Sequence, residues 1–106
     1  MNDKTKLLSM LALARKAGKV VAGGDGCEKA IRDGKALLVF LASDASANTQ
    51  KKFRDKTSFY DVPLAEMFTK DEISRIGLEN RAVAAVVDEN FAKKMNQMLE
   101  TLKSDL

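Results

Sequence analysis

The chain has 106 residues, 45% of them hydrophobic, which is enough to bury a core as one domain over residues 1–106 without disulfide bonds. One cysteine, Cys27, and no histidine argue against a zinc site, a histidine-based catalytic triad or a Cys-His pair, and indicate a reducing compartment. No apolar run approaches the roughly 20 residues needed to cross a bilayer, so we expect a soluble, cytoplasmic protein without a membrane partner.

The net charge of +3 is unevenly distributed along the chain. Residues 1–60 contain 12 Lys and Arg against 6 Asp and Glu, whereas residues 61–106 contain 6 against 9. This asymmetry favours a polyanion that approaches one side of the domain, although scattered surface lysines would give the same balance.

The first element is a predicted helix whose apolar residues recur at three- and four-residue spacing, as at Leu7 and Leu11. Basic residues in its last turn, Arg15 and Lys16, and the following Gly18 mark its end.

A glycine-rich junction follows, and it contains the main candidate site. A short strand, Val20 to Ala22, leads into a loop with Gly23, Gly24 and Gly26 and then into a basic helix that ends at Gly34. Free N–H groups and the positive end of a helix dipole suit phosphate or another anion. The alternative is that Gly-Gly-Asp-Gly is only a tight turn.

The remaining pattern alternates strands with helices. Two continuous apolar runs and a run that contains Pro63 predict buried or edge strands. Polar caps and a Thr69 to Glu72 capping box predict the helices between them. The predicted elements are strand Ala36–Ala42, helix Ala47 to Tyr60, strand Val62–Met67, a short helix ended by Gly77, strand Ala82–Val87, and a last helix capped by Asp88. This order predicts an α/β protein with helices on both faces of a four-stranded sheet.

The predicted helix Ala47 to Tyr60 has a basic face made of Lys51, Lys52, Arg54 and Lys56. Its side chains predicted to point inward are Phe53, Thr49 and Phe59. Such a face is typical of a solvated surface, and a polyanion site is the alternative.

No pattern indicates catalysis. The junction lacks the third glycine of a dinucleotide fingerprint, and neither Gly18-Lys19 nor Gly34-Lys35 belongs to a P-loop. Cys27, in the first turn of a helix near Lys29, is predicted to be a core residue, and a reactive thiol with a lowered pKa is the alternative. We expect no enzymatic activity, no metal and no cofactor.

The chain resembles the kink-turn-binding ribosomal proteins of the L-seven-Ae and L-thirty-e type, and most of all their bacterial YlxQ-type branch. The resemblance covers about residues 5 to 100 and is carried by the glycine-rich loop before Lys-Ala-Ile-Arg-x-Gly and by Ala-x-Asp-Ala-Ser-x-Asn-Thr at Ala42 to Thr49. It implies a three-layer α-β-α sandwich with a four-stranded mixed sheet, non-catalytic binding of structured RNA, and a small ribosome-associated protein.

The family's RNA motif at this junction is Gly-x-Asn-Glu-x-x-Lys, in which Asn and Glu read guanine edges and Lys meets the backbone. In this chain Gly23 and Lys29 match the family's Gly and Lys, but Asp25 replaces the Asn and Gly26 the Glu. The family's second RNA element is the loop before the last strand, which corresponds here to Gly77 to Ala82.

From the residues and the resemblance we predict an RNA site made of the junction and this loop. We expect phosphate contacts from the basic residues, close approach at the junction glycines, base reading by Asp25 and an apolar contact from Leu78. The predicted site comprises Lys19, Gly23, Gly24, Asp25, Gly26, Lys29, Arg32, Gly77, Leu78, Asn80 and Arg81.

The expected partner is rRNA or a kink-turn-containing RNA, bound by a monomer that also contacts ribosomal or RNA-processing proteins. A protein-interaction module with weakened RNA readout is the alternative function. A binder of small nucleotides at the same glycines is a third.

Overall fold

Helices and strands alternate along the chain as the sequence predicts. The computed structural model describes residues 3–78 and 81–104. Within these ranges the elements are α1 (Asp3–Lys16), β1 (Val20–Ala22), α2 (Gly24–Arg32), β2 (Leu38–Leu41), α3 (Ala47–Phe59), β3 (Leu64–Ala65), α4 (Lys70–Arg75), β4 (Val83–Val86) and α5 (Glu89–Ser104).

The four strands form one mixed sheet in the order β1-β4-β2-β3. Strand β4 is antiparallel to both of its neighbours, β1 and β2, whereas β2 and β3 are parallel. Every residue of the two central strands, β2 and β4, is buried, as expected for a sheet covered by helices on both faces. Helix α1 packs against α5 and α2 against α3, so the predicted α-β-α sandwich with a four-stranded mixed sheet is confirmed.

Side-chain caps set the ends of several helices where the sequence places them. The Ser46 hydroxyl accepts from the Thr49 N–H at 3.2 Å at the start of α3. Thr69 and Glu72 form the predicted capping box, with the Thr69 hydroxyl accepting from the Glu72 N–H at 3.2 Å and the Glu72 carboxylate accepting from the Thr69 N–H at 3.1 Å.

Three predicted strands are longer than the strands in the structure. The largest difference is in the predicted strand Val62–Met67, of which only Leu64 and Ala65 form β3. Pro63 presents its carbonyl, which accepts from the Val39 N–H at 2.9 Å, but it has no N–H to donate to the ladder. An apolar run therefore marks a buried segment, whereas the ladder hydrogen bonds decide the strand ends.

Two details of the helices are also corrected. Gly24 and Gly26 are not in a loop, because α2 begins at Gly24 and only Gly23 lies before it. The prediction that Phe59 points inward is wrong, because the residue is 81% exposed. Thr57, four positions after Phe53, is the buried residue instead. Six residues separate Phe59 from Phe53, which corresponds to about 240° around a helix, so the two side chains point in different directions.

Candidate RNA-binding site

An open cleft of about 830 Å³ lies where α1, β1 and the segment before β4 meet. Its position follows from the sheet, because β1 pairs with β4 and the Gly23 N–H donates to the Val83 carbonyl at 3.0 Å. That pairing brings the segment before β4 beside the end of β1. The cleft is lined by Arg15, Lys16, Val20, Ala22, Gly77, Leu78 and Arg81.

The guanidinium group of Arg81 lies against the backbone of Gly23. A Cβ atom at Gly23 would be 3.0 Å from Nη1 of Arg81. Gly23 also has a φ of +91°, a backbone conformation that side-chain-bearing residues rarely adopt. Glycine is therefore favoured here both by the backbone angle and by the close approach of the arginine.

The guanidinium group of Arg15 lies in the same way against Gly77. A Cβ atom at Gly77 would be 2.7 Å from Cζ of Arg15, and Gly77 has a φ of +95°. The sequence pattern marks Arg15 and Lys16 only as the last turn of a helix and does not indicate either as a site residue. Two adjacent cations shortly before β1 are the available signal, but the nearness of Arg15 to Gly77 depends on tertiary contacts.

The N-terminus of α2 adjoins this cleft at Gly23. Gly23 is the N-cap residue, and it has no side chain to accept from the first-turn N–H groups. Gly24, Asp25 and Gly26 form the first turn, and Asp25 is exposed. The acidic side chain of Asp25 at this end complements the helix dipole, which gives it a structural role besides any contact with a ligand.

Lys29 and Arg32 lie on the exposed face of α2, in the row that begins at Asp25. Their spacing of four and three residues places the three side chains on one face, opposite the buried Cys27 and Ala30. The cleft and this exposed row are thus two adjacent surfaces that join at the start of α2.

The other predicted site residues differ in accessibility. Lys19 is exposed at the start of β1, whereas Leu78 lines the cleft but is only 7% exposed and belongs to the core. The apolar contact predicted for Leu78 is therefore limited to a small part of its side chain. Asn80 lies outside the described residues.

The cations of the cleft and of α3 differ in their ion pairing. Among residues 3–78 and 81–104, no ion pair involves Arg15, Lys16, Lys19, Lys29 or Arg81. The basic residues of α3, by contrast, have acidic partners: Lys52 with Glu28 at 2.7 Å, Arg54 with Glu66 at 2.7 Å, Lys51 with Asp55 at 3.4 Å and Lys56 with Glu28 at 3.6 Å. Much of the predicted basic face of α3 is therefore neutralised by neighbouring carboxylates.

Cys27 is a core residue, as predicted. Its thiol donates to the Val21 carbonyl at 3.3 Å, and burial raises its pKa to about 12, an effect partly offset by a backbone hydrogen bond at Ala85. The alternative of a reactive thiol with a lowered pKa is wrong, because loss of solvation outweighs the position of Cys27 in the first turn of a helix.

No group of three or more Cys, Asp or Glu side chains in the described part of the chain is arranged to hold a metal ion. No helix in residues 3–78 and 81–104 has the length and apolar character that a bilayer crossing requires.

Comparison with known proteins gives consistent matches. A sequence model of the ribosomal protein L7Ae/L30e/S12e/Gadd45 family matches residues 5–96. The RNA-binding protein YlxQ of Enterococcus faecium is 41% identical over 98 residues, which cover 92% of this chain and 95% of that protein. The RNA-binding protein YlxQ of Bacillus subtilis (strain 168) is 45% identical over 92 residues, which cover 86% and 92%.

Two solved structures are also similar. A protein with unknown function from Bacillus halodurans has a TM-score of 0.84 and 34% identity, with 90% of this chain and 97% of that chain covered. A Giardia lamblia 15.5kD RNA binding protein has a TM-score of 0.81 at 17% identity, with 98% and 90% covered. At that identity the second likeness concerns the fold alone.

Proposed function

The chain belongs to the ribosomal protein L7Ae/L30e/S12e/Gadd45 family, and from this membership and its basic cleft we propose that it binds structured RNA without catalysis. The two relatives named as RNA-binding proteins support this proposal, since they are similar over most of the chain. We propose rRNA or a kink-turn-containing RNA as the ligand.

One observation carries the proposal most directly: two arginines with no ion pair within the described residues lie in one cleft beside a helix N-terminus. Arg15 and Arg81 each rest on the backbone of a glycine, which leaves no side chain between the guanidinium groups and the cleft floor. Guanidinium groups and free helix N–H groups both bind phosphate oxygens well. The arrangement therefore suits the phosphate backbone of an RNA at the end of β1.

We assign roles to the remaining residues from their placement. Lys19, Lys29 and Arg32 meet phosphates from exposed positions. Gly24, where a Cβ atom would meet nothing within 4 Å, leaves the first turn of α2 open to close approach, whereas the missing side chain of Gly26 faces Val21. Asp25 is the one side chain in that turn able to accept from a guanine edge. Because it replaces an amide and has no donor, we propose that affinity depends mainly on backbone contacts.

We further propose that the protein acts as a single monomeric domain in the cytoplasm. The family match over residues 5–96 supports one domain, and the absence of histidine together with the buried thiol of Cys27 supports a binding role rather than catalysis.

The test is a titration of three RNAs, a kink-turn, a plain duplex and a single strand, at about 50 and 200 mM salt. Arg15→Gln and Arg81→Gln should each weaken binding and reduce the salt slope by about one released ion. Arg54→Gln is the matched control, because Arg54 is engaged by Glu66 at 2.7 Å and lies on α3. We expect it to leave affinity unchanged.

Two results would overturn the proposal. One is the absence of binding to any of the three RNAs, which would favour the protein-interaction module. The other is binding that Arg54→Gln weakens as much as the cleft substitutions do, since the cleft would then have no special role.

A further inference from the structure

Two aromatic side chains are exposed at the end of α3, remote in sequence from the cleft. Phe59 is 81% and Tyr60 is 41% exposed, and their rings meet edge to face with centroids 4.9 Å apart. Phe59 is the most exposed of the large hydrophobic side chains among the described residues. Exposed aromatic faces of this kind offer surfaces on which nucleic-acid bases stack.

The turn that holds this pair is closed by the backbone and does not require the Phe59 ring. The Val62 N–H donates to the Thr57 carbonyl at 2.8 Å and the Asp61 N–H donates to the Ser58 carbonyl at 3.3 Å. With Asp61 at a φ of +58°, these bonds form a Schellman motif. The motif fixes the chain on both sides of the aromatic pair while leaving the Phe59 side chain in solvent.

The packing of α3 on α2 places the pair at the end of the basic row of the proposed RNA site. Glu28 of α2 binds Lys52 and Lys56 of α3, at 2.7 and 3.6 Å. One turn further along each helix, the same facing rows continue into Arg32 on α2 and Phe59 on α3.

The strands and a small pocket agree with this placement. Helix α2 leads into β2 and helix α3 leads into β3. Because these two strands are parallel neighbours, both helices end near the edge of the sheet at which the strands begin. Tyr60 lines a pocket of about 270 Å³ together with Gly34, the residue just after the end of α2.

We propose that Phe59 and Tyr60 form a stacking surface for an unpaired base of the bound RNA, in a single-stranded segment that flanks the structured part. The inference rests on the proposed function, because the backbone is expected to reach the pair along Lys29 and Arg32. It extends that function by adding a second contact at the far end of α2. Because α2 has nine residues, this end lies about 13 Å along the helix axis from Gly23.

The charges around the pair favour a polyanion over an apolar partner, and the continuity of this surface with Lys29 and Arg32 on α2 favours RNA. Arg32 and Lys35 are exposed on this side of the domain, whereas Lys56, one turn before Phe59, is paired with Glu28 at 3.6 Å. Two carboxylates are also near: Asp33, 4.0 Å from Arg32, and Asp61. A phosphate is expected on the side of Arg32 and Lys35, whereas the uncharged base meets the rings.

The experiment uses the full chain and a kink-turn stem, with and without six unpaired uridines added at either end. Tyr60 is the single tyrosine and the chain has no tryptophan, so its fluorescence reports on this site without any label. Stacking should quench that fluorescence, and one added strand should improve affinity by about tenfold. Phe59→Ser should abolish the gain and leave affinity for the bare stem unchanged.

Leu13→Ser is the matched control, because Leu13 is a 56% exposed apolar residue on α1. It should keep the full gain. If the stem binds but neither extension improves affinity or quenches Tyr60, this inference is overturned, the proposed function stands, and a protein partner becomes the better occupant. If none of these RNAs binds, and a plain duplex and a single strand do not bind either, both proposals are overturned.

Discussion

Gly26 is held as a glycine by a neighbouring side chain and not by its backbone angle. It lies in the first turn of α2, and its φ is not in the positive region occupied by Gly23 and Gly77. A Cβ atom at Gly26, however, would lie 2.8 Å from Cγ1 of Val21. Carbon atoms normally meet at about 3.5–4.0 Å, so Gly26→Glu forces an overlap of about 1 Å.

The free-energy change of Gly26→Glu is therefore the sum of opposing effects. The overlap should cost about 2 kcal/mol, since Val21 is β-branched and stiff. Replacing a helical glycine and adding a carboxylate at the helix N-terminus should together raise the free energy of unfolding by about 1.5 kcal/mol. We expect Gly26→Glu alone to destabilise the protein by about 0.5 kcal/mol. In the Val21→Ala background, where the overlap is removed, the same substitution should stabilise the protein by about 1.5 kcal/mol. The two substitutions are therefore coupled by about 2 kcal/mol.

Urea denaturation of the wild type, the two single variants and the double variant measures this coupling. Gly24→Glu is the matched control, because a Cβ atom at Gly24 meets nothing within 4 Å in the same helical turn. Its effect should add to that of Val21→Ala within about 0.5 kcal/mol. Additive behaviour of Gly26→Glu with Val21→Ala would refute the reasoning.

The same background allows a clean test of RNA readout. Asp25→Asn with Gly26→Glu restores the two residues of the family's motif, and Val21→Ala keeps their introduction from straining α2. We expect selectivity for a kink-turn over a plain duplex to rise by about tenfold, the value of one good bidentate base contact. Intact stability with unchanged selectivity would mean that this turn does not read bases.

The remaining predictions concern buried and paired groups. Because burial raises the pKa of Cys27 to about 12, its thiol should react slowly with a disulfide reagent at pH 8. The rate in the folded protein should be at least about 100-fold lower than after denaturation, and equal rates would contradict the burial of Cys27. The hydrogen bond from Lys52, with the nearby charges, lowers the pKa of Glu28 in the folded protein. The ionised Glu28 therefore stabilises the folded protein above pH 4.5, its pKa in the unfolded chain, and this stabilisation is lost as the pH falls through the folded pKa. Glu28→Gln should therefore destabilise the protein by about 0.5–1 kcal/mol at pH 7 and by progressively less below pH 4.5. Asp55→Asn removes a largely exposed ion pair and should have little effect at either pH. A pH-independent effect of Glu28→Gln would refute the assignment.

The sequence by itself determined the elements of this protein and their order. Hydrophobic spacing identified the helices, and continuous apolar runs identified the central strands. The Thr69 to Glu72 capping box marked a helix start that the structure confirms. These signals are reliable because they act between residues a few positions apart, where chain geometry already fixes the distance.

Tertiary structure decided which residues form the cleft. Arg15 and Arg81 are 66 positions apart, and they share a cleft only because β1 pairs with β4 and the segment before β4 folds back over α1. The same holds for Val21 beside Gly26, for the carboxylates that neutralise α3, and for Phe59 at the end of α2. Strand pairing and helix packing join distant segments, and no local pattern records which side chains they bring together.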